Sequence, residues 1–245
     1  MNVFVSGGSR GIGRAIALRF ARDGAKRVAI GYFRSDSAAE QTAEDLRALG
    51  AEPTLVRGNI GSERVLDEVK ALGPLDVLVH NAASGVSVPA LEASEKHWDW
   101  TMNTNARALL QLAQAAAPQM PAGSSIVAIS SLGAQRVLEN YTLVGTSKAA
   151  LEALVRYLAV ELAPGVRVNA VSGGVVDTDA LEHFPNREEM LAAGAANPVG
   201  RMVTPDDIAA AVAFLCSPEA DMVRGQTLVV DGGFSLLVGA QAPRT

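Results

Sequence analysis

The sequence predicts an α/β protein: a single domain on a doubly wound parallel sheet of about seven strands, with helices on both faces. Short apolar runs alternate with amphipathic helical patterns, and a glycine-rich turn separates the first run from the first helical pattern. Parallel strands need a crossover, usually a helix, so this alternation favours a covered parallel sheet. The 245 residues are enough for one large core, and no repeat or linker indicates a second domain.

The individual elements follow from this alternation. The predicted strands are Val3–Ser6, Arg27–Tyr32, Glu52–Arg57, Val77–His80, Ser125–Ser130, Arg167–Val171 and Thr227–Val230. The predicted helices are Gly11–Asp23, Ser37–Leu49, Ser62–Leu72, Glu95–Ala117, Gly145–Leu162 and Pro205–Cys216. The segment Asp177–Pro198 interrupts the alternation with a helical pattern at Arg187–Ala196 that no strand follows, and it makes up most of the region 177–200. Substrate loops lie at the carboxyl edge of such sheets, so we expect a substrate lid there.

Composition and charge limit the binding partners and the cellular compartment that we expect for this protein. A formal net charge of −5 gives no electrostatic reason to expect nucleic acid or a membrane as partner. No apolar run reaches the ~20 residues that cross a bilayer, and the first strand begins too early to leave room for a signal peptide. Cys216 is the only cysteine, which we expect to be a buried thiol in a reducing compartment. We therefore expect a cytoplasmic protein.

The run SGGSRGIG, residues 6–13, predicts a phosphate-binding turn between the first strand and the first helix. Gly7 lets the chain turn sharply, Gly11 lets the backbone approach a pyrophosphate, and Gly13 lets the helix pack close to the strand. The helix N-terminus then offers free N–H groups to the anion. This pattern favours a Rossmann-type dinucleotide-binding fold.

The end of the second strand favours NADPH over NADH. An NAD site usually presents a carboxylate there to the ribose 2′-hydroxyl, but here the strand ends in Gly31-Tyr32-Phe33-Arg34-Ser35, with no acid until Asp36. Arg10 and Arg34 can instead surround a 2′-phosphate, because a guanidinium donates paired hydrogen bonds to phosphate. Ser35 adds a hydroxyl donor. The alternative is that Arg34 is only a solvated loop charge.

Further motifs complete a family pattern. They are Asn81-Ala82-Ala83 after the fourth strand, Asn105 in the long helix, Ser130-Ser131 at the end of the fifth strand, Tyr141 with Lys148, Arg224-Gly225-Gln226, and Asp231-Gly232-Gly233. With these motifs the chain resembles the short-chain dehydrogenase/reductase family over nearly its whole length. Within that family it is most similar to the FabL type of enoyl-acyl-carrier-protein reductase, in phrases such as HNAASGV, ENYTLVGTSKAALEAL and NAVSGGVVDTDALEHFPNRE. The resemblance also implies NADPH as the cofactor.

The spacing of Tyr141 and Lys148 departs from the usual Tyr-x-x-x-Lys of the family. Val144 stands four residues before the lysine and has no proton to give. Six intervening residues are a feature of enoyl reductases in this superfamily. In ketone reduction hydride adds to the carbon that bears the oxygen, whereas in an enoyl thioester it adds two carbons away, at C3. We hypothesise that a phenol displaced by roughly one helical turn meets the thioester oxygen while the cofactor addresses C3.

The resemblance implies four catalytic residues and a larger set of cofactor contacts. Tyr141 stabilises the enolate oxygen, Lys148 holds the nicotinamide ribose and lowers the phenol pKa, and Asn105 has a structural and proton-relay role. Ser131 either donates a hydrogen bond to the thioester oxygen or is a plain turn residue. The implied cofactor contacts are Gly7, Ser9, Arg10, Gly11, Ile12, Gly13, Arg34, Ser35, Asn59, Ile60, Asn81, Ala82, Tyr141, Lys148, Gly174, Val176 and Thr178. We assign no metal-binding residue.

The sequence thus favours NADPH-dependent reduction of the trans-2 C=C bond of enoyl-acyl-carrier-protein or enoyl-CoA thioesters in fatty acid synthesis. One alternative is a carbonyl reductase for a 3-oxoacyl thioester or another ketone, which Ser131 favours and Val144 disfavours. The other is a non-catalytic NADPH-binding protein, against which Tyr141, Lys148 and Asn105 count.

Three further expectations concern partners and the lid. A carrier-protein substrate implies a basic patch, for which Arg187 and Arg201 are candidates. The lid segment His183–Pro185 contains Phe184, which either lines an acyl channel or anchors the lid. The resemblance implies a homotetramer packed through the two long helices.

His80, where the family often has Asn, is expected to be a strand-end histidine with its hydrogen bonds satisfied.

Overall fold

The computed structural model describes residues 1–178 and 187–237, which contain a seven-stranded sheet in the order β3-β2-β1-β4-β5-β6-β7. The strands are β1 (Asn2–Ser6), β2 (Arg27–Tyr32), β3 (Glu52–Arg57), β4 (Val77–His80), β5 (Ser124–Ser131), β6 (Val166–Gly173) and β7 (Thr227–Val230). All neighbouring strands pair in parallel. The predicted doubly wound sheet is confirmed. Its order reverses between β1 and β4, the position at which such sheets bind ligands beyond the carboxyl ends of their strands.

Eight α-helices surround the sheet in the described part of the chain. They are α1 (Gly11–Arg22), α2 (Asp36–Ala48), α3 (Glu63–Ala71), α4 (Glu95–Met102), α5 (Ala108–Ala116), α6 (Thr142–Glu161), α7 (Arg187–Ala195) and α8 (Pro205–Cys216). None of these helices has the length and apolarity that a membrane crossing needs.

Two helices differ from the prediction in ways that affect the site. The pattern Glu95–Ala117 is not one continuous helix, because a wider π-type turn at Asn103–Arg107 separates α4 from α5. A π-type turn inserts one residue into a helix and changes the spacing of its apolar residues only slightly. The pattern of apolar residues in the sequence therefore does not reveal such a turn. Helix α6 begins at Thr142, three residues before the predicted start, and Tyr141 is its N-cap. The N–H groups in the first turn of a helix have no intrahelical partner in any case. A residue that is a weak helix former, such as Thr142, is therefore tolerated at this helix start.

The two faces of the sheet bury separate apolar cores. On one face Val3 and Val5 of β1 belong to a cluster with α1 and α8, and on the other Phe4 belongs to a cluster with α5 and α6. Successive strand residues point to opposite faces, so a strand covered on both sides is apolar throughout. Each fully buried large side chain, such as Ile16 or Leu109, contributes about 1.5–3 kcal/mol. The packed sheet therefore holds the strand ends in fixed positions.

Cys216 at the end of α8 was expected to be a buried thiol, but the residue as a whole is only partly buried. Burial raises the pKa of its thiol to about 12. The neighbouring Arg167 is a buried residue of β6, and its guanidinium donates hydrogen bonds to the carbonyls of Leu215, Cys216 and Ser217. A cation at the carbonyl end of a helix complements the helix dipole. Arg167 therefore stabilises the end of α8 and attaches it to β6.

Candidate active site

The glycine-rich turn has the shape that a dinucleotide phosphate needs. Gly7 and Gly11 have φ of 65° and 53°, in the left-handed region that favours glycine. A Cβ on Gly13 would collide with the carbonyl of Gly7. The first turn of α1 contains no acidic residue, and its N-cap, Arg10, makes no side-chain capping hydrogen bond. The N–H groups of this helix end are therefore oriented toward the place where an anion binds.

Ser6 and Asn81 hold this turn against the end of β4. The Oγ of Ser6 accepts hydrogen bonds from the N–H groups of Asn81 and Ala82, both at 3.0 Å. The Nδ2 of Asn81 donates to the carbonyls of Ser6 and Gly7 at 3.1 Å and 3.0 Å. From the far side, the hydroxyl of Thr42 donates to the carbonyl of Ser9 at 3.0 Å. The contacts of Ser6 and Thr42 could not be predicted from local sequence, because their partners are distant along the chain.

His80 connects the phosphate turn to the π-type turn. It is fully buried, with Nε2 at 3.0 Å from the carbonyl of Asn105 and Nδ1 at 3.3 Å from Ser6 Oγ. A carbonyl only accepts, so Nε2 carries the proton and Nδ1 accepts from the Ser6 hydroxyl. Burial, and secondarily the charge of Lys148, lower the pKa of His80 to about 4. Both ring nitrogens have partners, as predicted for a satisfied strand-end histidine.

Asn105 is fully buried and joins the segment after β4 to helix α6. Its Oδ1 accepts from the N–H of Ser84 at 2.8 Å, and its Nδ2 donates to the carbonyl of Ser84 and to Ser147 Oγ, both at 2.9 Å. The Ser147 hydroxyl donates in turn to the carbonyl of Val144 at 2.7 Å. Asn105 therefore fixes the first turns of the helix that carries the lysine.

Tyr141 and Ser131 meet at the carboxyl end of β5. The hydroxyl of Tyr141 donates a hydrogen bond to Ser131 Oγ over 3.4 Å, and Ser131 Oγ also accepts from the N–H of Gly133 at 3.3 Å. The expectation that Lys148 lowers the pKa of the Tyr141 phenol was wrong: burial raises this pKa, and the hydrogen bond to Ser131 partly opposes the rise. Ser131 Oγ thus caps the turn that follows β5 and also lies against the phenol.

Two glycines make room for the displaced phenol. A Cβ on Gly133 would lie 2.5 Å from the ring of Tyr141, and a Cβ on Gly145 would lie 2.7 Å from the carbonyl of Gly133. These distances are shorter than real Cβ contacts allow, so both positions must be glycine for the ring to lie there. The side chain of Val144 is buried instead, where it packs against Gly85.

Lys148 lies in the protein interior beside the end of β5. It is 5% exposed, and its Nζ donates to the carbonyl of Ile129 at 2.7 Å. Burial lowers its pKa to about 8. Lys148 is therefore charged at neutral pH but more easily deprotonated than an exposed lysine, and it has donors left for a ligand hydroxyl.

The residues expected near the adenosine lie at the ends of β2 and β3. The Arg34 guanidinium stacks over the ring of Phe33 at 5.1 Å. Asp36, the nearest acid, pairs with Arg57 at 3.3 Å. The pKa of Tyr32 is raised by burial and by its hydrogen bond to Asp36. Arg57, which the sequence did not single out, is a second guanidinium at this edge, and its charge is matched by the Asp36 carboxylate. The arrangement suits a 2′-phosphate better than a 2′-hydroxyl.

The other implied cofactor residues flank the glycine turn. Ile60 is buried, while Asn59 folds its Oδ1 back onto the N–H of Gly61 at 3.3 Å. A Cβ on Gly11 would lie 3.3 Å from the side chain of Thr178, which places Thr178 beside the turn. Ser35 is the N-cap of α2, and Ile12 follows Gly11 in α1.

The segment after β6 leads from the sheet toward the predicted lid. The N–H of Gly174 donates to the carbonyl of Val230 at 2.9 Å, and Val176 forms a parallel bridge with Val203. Helix α7 confirms the helical pattern that was predicted there. His183, Phe184 and Pro185 lie outside the described residues.

The predicted basic patch has no support from its two arginines. Arg187 pairs with Asp177 at 3.0 Å, and Arg201 pairs with Asp207 at 2.6 Å. The Arg201 guanidinium holds the pKa of the Asp207 carboxyl well below its usual range. Because each guanidinium is matched by a carboxylate, these two residues present little uncompensated positive charge.

A turn shaped to bind phosphate, a buried lysine and a half-buried phenol at one sheet edge define a nicotinamide-dependent oxidoreductase. Comparison with known proteins places the chain more closely. It belongs to the short-chain dehydrogenase/reductase superfamily, and residues 7–235 match the family described as Enoyl-(Acyl carrier protein) reductase. A 1-cyclohexenylcarbonyl-CoA reductase of Streptomyces collinus is 38% identical over 242 residues, which cover 95% of this chain and 86% of that protein.

Solved structures give the same placement. A short-chain dehydrogenase from Burkholderia cenocepacia J2315, in complex with NADP, matches with a TM-score of 0.87 and 34% identity over 96% of this chain and 97% of its own. The protein BdcA, in complex with NADPH, matches with a TM-score of 0.85 and 36% identity over 95% of this chain and 93% of its own. The predicted cofactor agrees with these neighbours, and the glycine turn and Arg34 at the end of β2 fit it.

Proposed function

We propose that this chain is an NADPH-dependent reductase of the trans-2 C=C bond of enoyl thioesters. One observation carries the proposal: Tyr141 directs its hydroxyl to Ser131 at the end of β5, while Val144, where carbonyl-reducing relatives have their tyrosine, is a buried apolar side chain. The Streptomyces relative supports the substrate class, because its name gives an unsaturated CoA thioester as its substrate.

The roles of the residues follow from their positions. NADPH supplies the hydride when it is bound. The phenol of Tyr141 donates a hydrogen bond to the thioester oxygen, where negative charge develops as hydride reaches C3. Ser131 orients that phenol and is a second donor for the same oxygen. The Lys148 ammonium provides positive charge in a site from which water is largely excluded, and there its electrostatic effect on developing anionic charge is stronger than in water.

Ser131 also favours a second candidate, reduction of a ketone. A serine and a tyrosine hydroxyl within hydrogen-bond distance can both donate to one carbonyl oxygen, as ketone reduction requires. In a 3-oxoacyl thioester, however, that oxygen lies on the carbon that receives hydride, so the phenol must lie closer to the nicotinamide than for an enoyl substrate. Val144 cannot supply a proton from the nearer position.

The carrier, pathway and assembly are further parts of the proposal. An acyl-carrier-protein or CoA thioester is the substrate, and fatty acid synthesis is the pathway that consumes such a product. A homotetramer is supported by apolar side chains that α6 and β7 leave exposed. These are Tyr157 and Val160 on α6, and Leu228 and Val229 on β7.

The test is NADPH oxidation at 340 nm with crotonyl and acetoacetyl thioesters of CoA and of acyl carrier protein, with the products identified by mass spectrometry. We expect the crotonyl thioester to be turned over at least about tenfold faster, with a saturated acyl product. Turnover of the acetoacetyl thioester alone would establish a carbonyl reductase. NADPH binding without turnover of either substrate would establish a binding protein.

A further inference from the structure

Glu152 is a buried carboxylate, one helical turn beyond Lys148 on α6, that has no part in the mechanism above. The residue is 4% exposed. Its Oε1 accepts a hydrogen bond from Ser130 Oγ at 2.7 Å, and its Oε2 accepts one from Gln135 Nε2 at 2.9 Å. In the part of the chain that the structure describes, no salt bridge includes this carboxylate.

Core packing alone gives no reason for a carboxylate at this position. Burial of an ionised carboxylate costs free energy that an apolar side chain of similar size would not cost. Two hydrogen bonds offset that cost, and their donors are informative. Ser130 is the neighbour of Ser131 at the end of β5, and Gln135 lies in the irregular segment that leads to Tyr141.

That segment needs an anchor because Tyr141 lies outside helix α6. Residues 135–140 are exposed, and Asn140 has a left-handed φ of 55° just before the tyrosine. Two hydrogen bonds tie this segment to distant parts of the described chain. One joins the N–H of Val88 to the carbonyl of Asn140 at 3.1 Å, and the other is the Gln135–Glu152 bond. A tyrosine inside the helix, at position 144, would be held by the helix itself.

We infer that Glu152 is a positioning residue that acts through Gln135 to hold the Ser131–Tyr141 pair in reactive geometry. The inference rests on the proposed function, since it takes Tyr141 as the donor. Hydrogen bonding rather than charge carries the effect. A glutamine at position 152 can accept from Ser130 with its carbonyl oxygen and donate to Gln135 after that side chain flips its amide.

The test compares four variants with the wild type on the faster of the two thioesters. They are Glu152→Leu, Glu152→Gln, Gln135→Leu and, as the matched control, Glu161→Leu, which removes an exposed carboxylate at the end of the same helix. Rates are normalised to active sites by NADPH titration. Hydrogen exchange of residues 132–141 is measured in parallel, so that one readout does not depend on the reaction.

We expect Glu152→Leu and Gln135→Leu to lower kcat at least about tenfold and to speed hydrogen exchange in residues 132–141. The Kd for NADPH should change less than threefold. Glu152→Gln should keep kcat within about threefold, and Glu161→Leu should match the wild type. The double variant Glu152→Leu/Gln135→Leu should lose little more than Glu152→Leu alone, because both changes remove the bond between these two residues.

Two results would overturn the inference. One is a kcat per active site in Glu152→Leu within twofold of the wild type, with only a lower melting temperature. The other is hydrogen exchange in residues 132–141 of Glu152→Leu that is unchanged from the wild type. This result would overturn the inference even if no thioester is reduced. A wild type that reduces neither thioester defeats the proposed function instead, and the exchange data then decide the positioning role alone.

Discussion

The Tyr141 hydroxyl lies 3.4 Å from Ser131 Oγ, although the tyrosine is outside the helix that carries Lys148. The two side chains approach from opposite ends of an irregular ten-residue connection between β5 and α6. Displacing the phenol from position 144 therefore does not remove it from the strand end. The phenol reaches the strand end from the connection that precedes α6 rather than from within the helix.

The two glycines at this phenol should tolerate no side chain. Gly133→Ala places a methyl group 2.5 Å from the Tyr141 ring, and Gly145→Ala places one 2.7 Å from the carbonyl of Gly133. We expect each variant to lower kcat at least about tenfold, even though alanine in α6 is the better helix former. Steady-state kinetics with the enoyl thioester measure this loss. Gly165→Ala is the control, because its methyl group would meet only an ordinary contact at 3.7 Å, and a similar loss in this control would refute the explanation.

Lys148→Met should abolish turnover and stabilise the cofactor-free protein. Burial lowers the pKa of the Lys148 ammonium to about 8. Below that pH the buried charge lowers the stability of the folded protein. Between pH 8 and the ordinary lysine pKa the unfolded chain binds more protons than the folded one, so stability rises with pH. Methionine removes the charge but loses the bond to the carbonyl of Ile129. We expect a net gain of about 1–2 kcal/mol at pH 7, measured by urea unfolding. An equally large loss would mean that the ammonium is better solvated than its burial indicates.

His80 should make the protein sensitive to acid. Its pKa is lowered to about 4, so the unfolded chain binds more protons between pH 4 and about 6.5. The stability that neutral His80 contributes is present above this window and is lost as the pH falls through it. The wild type should lose about 2–3 kcal/mol more than His80→Gln between pH 7.5 and pH 4.5. Urea unfolding at the two pH values gives both losses, and equal losses in the two proteins would exclude His80 as the cause.

Arg34 should determine the preference for NADPH. A guanidinium that pairs with the 2′-phosphate has nothing equivalent to bind in NADH. Arg34→Ala should therefore raise the KM for NADPH at least about tenfold and leave the KM for NADH within twofold. Arg47→Ala, which removes an exposed arginine of α2, is the control. If Arg34→Ala affects the two cofactors equally, Arg34 is only a solvated charge.

The fold could be predicted from the sequence because the spacing of apolar residues within each segment indicates whether that segment is a strand or a helix. β2, β3, β4 and β7 have the predicted ends, and α8 does too. The π-type turn at Asn103–Arg107 was missed because the hydrogen bonds of Asn105 go to Ser84 and Ser147, which lie in other segments.

The site was predictable only where a motif is contiguous. The glycine turn and the Tyr141–Lys148 spacing are read from neighbouring residues. The contacts of Ser6 with Asn81, and of Glu152 with Gln135, join residues that no local pattern connects. For the same reason the sequence left the role of Ser131 undecided, whereas the structure places it against the phenol.

The most direct test of the account is the kinetic effect of Tyr141→Phe on enoyl thioester reduction, with the Kd for NADPH measured beside it. The substitution removes one hydroxyl and leaves the ring that packs on Gly133. We expect kcat/KM for the crotonyl thioester to fall about 100- to 1,000-fold, the usual effect of losing one donor to a developing oxyanion, with the NADPH Kd within threefold of the wild type. A kcat/KM within threefold of the wild type would contradict the assignment of Tyr141 as the donor.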